Sequence, residues 1–493
     1  MTLDTQNFVR LFERLRTIDL FGVAPPAPPW GDADPTRQDV TSAVGSGADL
    51  VPLLLKHAYV DPLEQHIPRM LAALGNDTTT LETLTGAVYQ HADDDVAGDL
   101  HRFLAVISNF YRSFLSARER LRAGFPLVEQ FPPMAMFQHH GDDGPFTLPV
   151  DATKQLMGGS VGVVSLPATY RKAPLLWASL AHETGGHDVL HADRLLLPEL
   201  RTGVAAIFGG GHINPAHPVS TAQLLGALWG YWMDEAASDI YGALNIGPTF
   251  GHNLSVFFAA LLARESNSDA PRLRTTSGPD RRGVLDPHPT DLLRLDLLIG
   301  AVQSMQGLSQ TVRTGYVSDL RALSNLLSGN ATTIGLQGIL PLGSGSGIRI
   351  NTALPLADMQ AAARRVGAFI ATAQLEALGG HSIQELETWD DADEQTAQTI
   401  AHAIAAGTPI AGAGDDAQLL AGTMLALLED AGRYDPATNA LSDALDESYA
   451  RDPIWGSPQR DLLWLRGDTV IDMAILTEHS VEIVAVDGTV LSQ

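Results

Sequence analysis

His182-Glu183-Thr184-Gly185-Gly186-His187 sets two imidazoles around a carboxylate inside an otherwise apolar segment. Those are the parts of a hydrolytic metal site: nitrogen donors for a divalent ion and, beside them, an acid able to take a proton from water. The run that leads in, Ala173-Pro174-Leu175-Leu176-Trp177-Ala178-Ser179-Leu180-Ala181, is rich in Ala and Leu and carries Pro174 where a first helical turn accepts proline. It predicts a buried helix over about 173–192. A regular helix turns about 100° per residue, so ligands written His-Glu-x-x-His stand about 40° apart on one face. Here the spacing is one residue longer, which carries the second imidazole to about 140°. Both rings can reach one ion only if the helix bulges, and Gly185 and Gly186 tolerate such a distortion with least steric cost.

Tyr231-Trp232-Met233-Asp234-Glu235-Ala236-Ala237-Ser238-Asp239-Ile240-Tyr241 offers the oxygen donor. Glu235 and Asp239 are four apart on one face of a predicted helix, so one can bind metal while the other steadies a ligand imidazole. Together these motifs resemble the gluzincin metallopeptidases. The His-Glu-x-x-x-His form, with Asp234-Glu235 and then Ala236-Ala237-Ser238-Asp239, is similar to the two motifs of the dipeptidyl peptidase III family, Ser238 standing where that family has Ala. A third segment, Asp286-Pro287-His288-Pro289-Thr290-Asp291-Leu292-Leu293-Arg294, is similar to the His-Pro-x-x-x-x-Arg element of peptidases related to HtpX and the CAAX prenyl protease. Those enzymes usually write His-Glu-x-x-His and carry membrane spans, neither of which is found here. The resemblance covers three short patches between about residues 160 and 300.

The resemblance implies an α+β, predominantly helical fold with a thermolysin-like zinc helix and ligand helix and a small edge-strand sheet. It implies that His182, His187 and Glu235 bind one Zn²⁺, leaving an open position for water. Glu183 then acts as general base and afterwards as acid toward the leaving amine. Asp239 is implied to hold the outward nitrogen of a ligand imidazole. Developing negative charge on a peptide carbonyl needs a further donor; His288 is favoured, with Tyr241 and Arg294 left to face the peptide substrate. The stretch Gly158 to Pro167 is β-branched, short and closed by proline, which predicts a strand. In gluzincins such a strand rims the cleft and offers its free edge to an extended peptide, with an ordinary sheet strand as the alternative.

Other readings stay open on the residues alone. His187-Asp188-Val189-Leu190-His191 has the regular spacing of four and needs no bulge. His187-Asp188 with His139 or His140 and Asp239 would suit a metal-dependent hydrolase of the HD type acting on a non-peptide substrate. A metal-binding scaffold without turnover is a third possibility. The Gly-rich run at 340–350 has no Lys-Ser/Thr after it and reads as a flexible turn, and Asp390-Asp391-Ala392-Asp393-Glu394 reads as a solvated helix start.

Composition narrows the field. The 493 residues carry a net charge of -26, which disfavours nucleic acids and anionic membrane surfaces as partners. With 45% hydrophobic residues the chain is built to pack, and with no cysteine it has neither disulfides nor thiolate ligands. No run reaches the roughly 18 apolar residues of a membrane span, and Met1 to Leu20 is unlike a secretory signal, so cytoplasmic residence is the default expectation. Three regions are expected: a helical N-terminal region over 1–149, a zinc-peptidase catalytic region over 150–330, and a mixed helical and strand region over 331–493 ending in a β-hairpin.

Overall fold

The computed structural model describes residues 3–17, 26–31, 35–52, 55–74, 79–115, 120, 123–126, 133–139, 145–159, 161–209, 213, 217–266, 268–343, 346–451, 469–470, 483–485 and 490–492. It is mostly helical with small mixed sheets, an α+β fold. The chain forms two compact units. One takes residues 19–192 with 406–420 and 436–493; the other takes 1–18, 193–405 and 421–435. The division at Asp193 falls inside the stretch expected as one catalytic region.

In the unit of residues 19–192, the strands β1 (Met134–Phe137), β2 (Phe146–Leu148) and β3 (Val163–Leu166) make one sheet in the order β1-β3-β2. β1 runs parallel and β2 antiparallel to β3. Every residue of β1 and β3 is buried, as the unbroken apolar runs Met-Ala-Met-Phe and Val-Val-Ser-Leu require. The expectation that the 158–167 strand offers a free edge is therefore corrected: β3 is the central strand, hydrogen-bonded on both sides. The strand is also shorter than expected, because Gly158, at φ 75°, closes the helix Val150–Met157 in the left-handed conformation that glycine adopts without a Cβ penalty. Gln90 clamps the end of β1, its amide donating to the Phe137 carbonyl at 2.6 Å and its oxygen accepting from the Phe137 N–H at 2.8 Å. The helix Ala97–Leu115 packs on β1, and Phe103 joins Phe137 and Trp177 in one aromatic cluster, with ring centroids 5.7 and 5.6 Å away.

In the other unit the helices Met233–Ile246 and Asp291–Ser304 lie at the centre, and the first buries every residue except Asp234. A helix buried on nearly every side needs neighbours all round, and Asp291–Ser304, Leu356–Thr372, Thr249–Ser266, Leu196–Ile207 and Thr221–Tyr231 supply them. Asp291–Ser304 and Leu356–Thr372 approach at backbone distance. A Cβ at Gly300 would sit 2.0 Å from the Arg364 carbonyl oxygen, and one at Gly367 would sit 1.9 Å from that of Leu297. The strands β4 (Thr276–Ser277), β5 (Thr333–Gly343) and β6 (Ser346–Pro355) form the second sheet. The Gly-rich run at 340–350, read as a flexible turn, is the end of an antiparallel hairpin that pairs from Thr333↔Pro355 to Gly343↔Ser346, so 340–343 and 346–350 are strand and 344–345 lie outside the described residues. Leu285 donates to the Ile339 carbonyl at 2.9 Å, and Gly338, at φ 144°, leaves room for the Leu285 backbone. The sheet thereby fixes the loop that leads into Asp286 and His288.

At the C-terminal end, strands Ile483–Ala485 and Val490–Ser492 pair antiparallel, in keeping with the expected hairpin; its part at 471–482 lies outside the described residues. Among the described residues no helix is long and apolar enough to cross a membrane.

Candidate metal centre

The predicted helix over 173–192 is not one helix. Pro174–Ser179 forms tight 3₁₀ turns, Ala181–Val189 is a π-helix, and only Leu190–Ala192 returns to α geometry. Chemistry explains the middle piece. A π-helix closes its hydrogen bonds from i to i+5, so residues five apart come round to the same face, and His182 and His187 are five apart. Their rings lie 4.9 Å apart between centroids and nearly perpendicular, at 89°. Two rings edge to face leave their nitrogens able to aim at a common point in a way that stacked rings would not. His182 is buried, while His187 and Glu183 are partly exposed. π geometry is unfavourable in isolation, and its support is visible: Ala181, Val189 and Leu190 are fully buried, and the Thr147 hydroxyl on β2 donates to the Glu183 carbonyl at 2.7 Å.

The acidic pair lies on the helix Met233–Ile246, which is regular throughout. Glu235 is 7% exposed and Asp239 fully buried. Arg294 meets Asp239 through two parallel bonds, Nε to Oδ2 at 2.8 Å and Nη2 to Oδ1 at 2.6 Å. Its guanidinium also lies over the Phe258 ring, 4.6 Å from the centroid. Burial alone would lower the Arg294 pKa, but the Asp239 charge and hydrogen bonds more than offset that and raise it. An arginine expected on the substrate side thus spends two donors on Asp239 and is 3% exposed. Tyr241 is fully buried, its hydroxyl 3.4 Å from Glu387 Oε2.

His288 is the exposed member of this group. Its Nε2 is 3.3 Å from Glu235 Oε1, and its Nδ1 is 2.7 Å from Asp286 Oδ1, so a carboxylate faces each ring nitrogen. Asp286 also accepts the His288 backbone N–H at 3.0 Å and a 2.6 Å bond from Arg274 Nη1. Burial pushes the Asp286 carboxyl up, but the His288 hydrogen bonds and the Arg274 charge more than offset this and hold it well below the usual carboxylate range. The Trp232 indole donates to the Asp286 carbonyl at 3.0 Å, and the Tyr231 hydroxyl to that of Leu285 at 2.7 Å. The two ends of the 288–294 element therefore meet the two members of the acidic pair, His288 on Glu235 and Arg294 on Asp239.

Sequence reasoning gave Asp286, Arg274 and Trp232 no role. Asp286 had a local signal, since an Asp two residues before a His can bond its backbone N–H in an Asx turn. Arg274, twelve residues upstream of Asp286, had none. The competing residues have structural partners. His191 Nδ1 is 3.7 Å from Asp151 Oδ2, and the buried His139 has its Nδ1 2.8 Å from the Pro26 carbonyl oxygen; His140 lies outside the described residues.

Comparison with family models, with curated proteins and with solved structures finds no match.

Proposed function

We propose that this chain is a zinc-dependent peptidase in which His182, His187 and Glu235 hold a single Zn²⁺, in a thermolysin-like pairing of zinc helix and ligand helix. The donor set fits the ion: two imidazoles and a carboxylate, with no thiolate, are the set of an open catalytic zinc site. The observation that carries the reading is the π-helix, because it removes the one objection to the His-Glu-x-x-x-His spacing. When bound, the ion supplies a Lewis acid that acidifies water and polarises a carbonyl. Glu183, partly exposed and next to the first ligand, takes the proton from water and returns it to the leaving amine. His288 orients Glu235 through its Nε2 while Asp286 holds its Nδ1, and the Nε2–H would pass to a developing oxyanion once the Glu235 carboxylate turns to the ion. Asp239 and Arg294 fix the helix on which Glu235 stands.

The test is metal analysis of the purified full chain, followed by a chelator-sensitive assay on mixed peptides. Glu183→Gln is expected to keep stoichiometric zinc and to lose turnover by about 10²–10⁴-fold. Full activity in that variant, or hydrolysis indifferent to chelation, would refute the assignment.

A further inference from the structure

The unit of residues 193–405 holds a cavity of about 180 Å³, none of whose lining residues belongs to the proposed metal set. Glu394 is its key group. It is 3% exposed although it ends an acidic run that reads as solvated. Its carboxylate accepts from the Tyr316 hydroxyl at 2.9 and 3.0 Å, from Gln398 Nε2 at 2.8 Å and from Trp389 Nε1 at 3.4 Å. All these donors are neutral. Among the described residues no cationic side chain pairs with Glu394, and neither Lys nor Arg lines the cavity. The carboxylate is fully hydrogen-bonded yet has no counter-charge, so a cation in the cavity beside it is favoured electrostatically.

His252 is a second, separate sign of a ligand. It is 1% exposed, lines the same cavity and packs against Tyr316 with ring centroids 5.9 Å apart. Neither ring nitrogen makes a well-aligned hydrogen bond. Burial lowers its pKa to about 4, against a smaller upward pull from the Pro248 carbonyl, so near neutral pH the ring is uncharged and offers a lone pair. Asp319 adds a carboxylate to the wall, while Val312 and Leu425 supply apolar surface. The volume is that of about six waters.

We propose that this cavity binds a small primary alkylamine, its ammonium on Glu394 and His252 and its alkyl chain along Val312 and Leu425. His252 lacks a donor, Glu394 lacks a counter-charge, and the apolar wall selects an organic cation over a hydrated inorganic one. The inference stands apart from the peptidase reading, and its test uses no peptide substrate. Calorimetric titration of the full chain with n-butylamine is expected to show saturable binding, with none for butan-1-ol or butyrate at equal concentration. Glu394→Gln should weaken amine binding at least about tenfold, the loss of one charge-assisted contact. Val312→Trp should abolish it by filling the space while leaving the hydrogen bonds of Glu394 intact, and it decides the matter if Glu394→Gln fails to fold by circular dichroism. Equal binding of butan-1-ol, unchanged amine affinity in Val312→Trp, or displacement of the amine by millimolar Mg²⁺ would overturn the proposal.

Discussion

The stretch that carries His182 and His187 and the helix that carries Glu235 are opposite in construction. The first abandons α geometry: 3₁₀ turns, then nine residues of π-helix, then a single α turn. The second is an unbroken α-helix, buried on every side but one and held by side-chain partners through Asp239–Arg294 and Glu235–His288. The difference follows from spacing. Carboxylates four apart already share a face of an α-helix, so the backbone stays regular and side chains do the fixing; imidazoles five apart share a face only when the backbone itself is rewound. Irregular geometry in one place and a rigid, costly ion pair in the other are two ways of holding donor atoms, and they should fail differently.

The largest stability effect is expected on the regular side. Asp239→Asn leaves the buried Arg294 charge short of its partner and should lower unfolding stability by about 3–5 kcal/mol in urea melts. Replacing both residues by apolar ones of similar volume should recover most of that loss. A double variant as unstable as the single one would mean the pair is not the clamp described.

Each unit also carries a buried neutral histidine, so acid should weaken both. Burial, with a smaller contribution from nearby His101, lowers the His91 pKa to about 3, and burial lowers that of His252 to about 4. Both folded values lie below the unfolded value near 6.5, so as pH falls the unfolded chain takes up protons first. Stability is undiminished above about pH 6.5 and falls as pH drops from there toward the folded values, by on the order of 3 kcal/mol in all for His252. Thermal melts between pH 8 and pH 4.5 should show the decline, and His252→Phe should flatten it; an unchanged pH slope in that variant would exclude His252 as a source.

Smaller effects separate positioning from packing. His288→Ala should cut peptidase kcat/KM by about 10–100-fold with little change in melting temperature, because the ring is 47% exposed yet touches Glu235. A loss confined to stability would make it a structural residue. Thr147→Val, which removes the hydroxyl on the Glu183 carbonyl, should cost about 1 kcal/mol and less than tenfold in activity.

How much of this was legible in the sequence depends on how local each signal is. The donor types, the spacing of five and the glycines within it announce a distorted turn from six consecutive residues, and the pair Glu235/Asp239 announces a shared helix face from five. Which group answers Asp239 is a tertiary fact. The sequence offered a ligand imidazole, whereas the fold brings Arg294 onto it from 55 residues away. β1 and β2, four and three residues long, are too short to show a period among the Pro, Gly and Asp around them, so both fall within the region expected to be helical and the central place of β3 stays hidden. Glu394 disappears into an acidic run, and His252 into a helix otherwise rich in Leu, Phe and Ala.

The most direct measurement of the central claim is a zinc titration of the metal-free full chain, read by metal content and by X-ray absorption at the zinc edge. The account expects one ion per chain with two imidazole nitrogens at about 2.0–2.1 Å, one of them lost in His187→Ala, and weaker binding in Glu235→Gln. Absence of stoichiometric zinc, or an identical coordination shell in both variants, would contradict it.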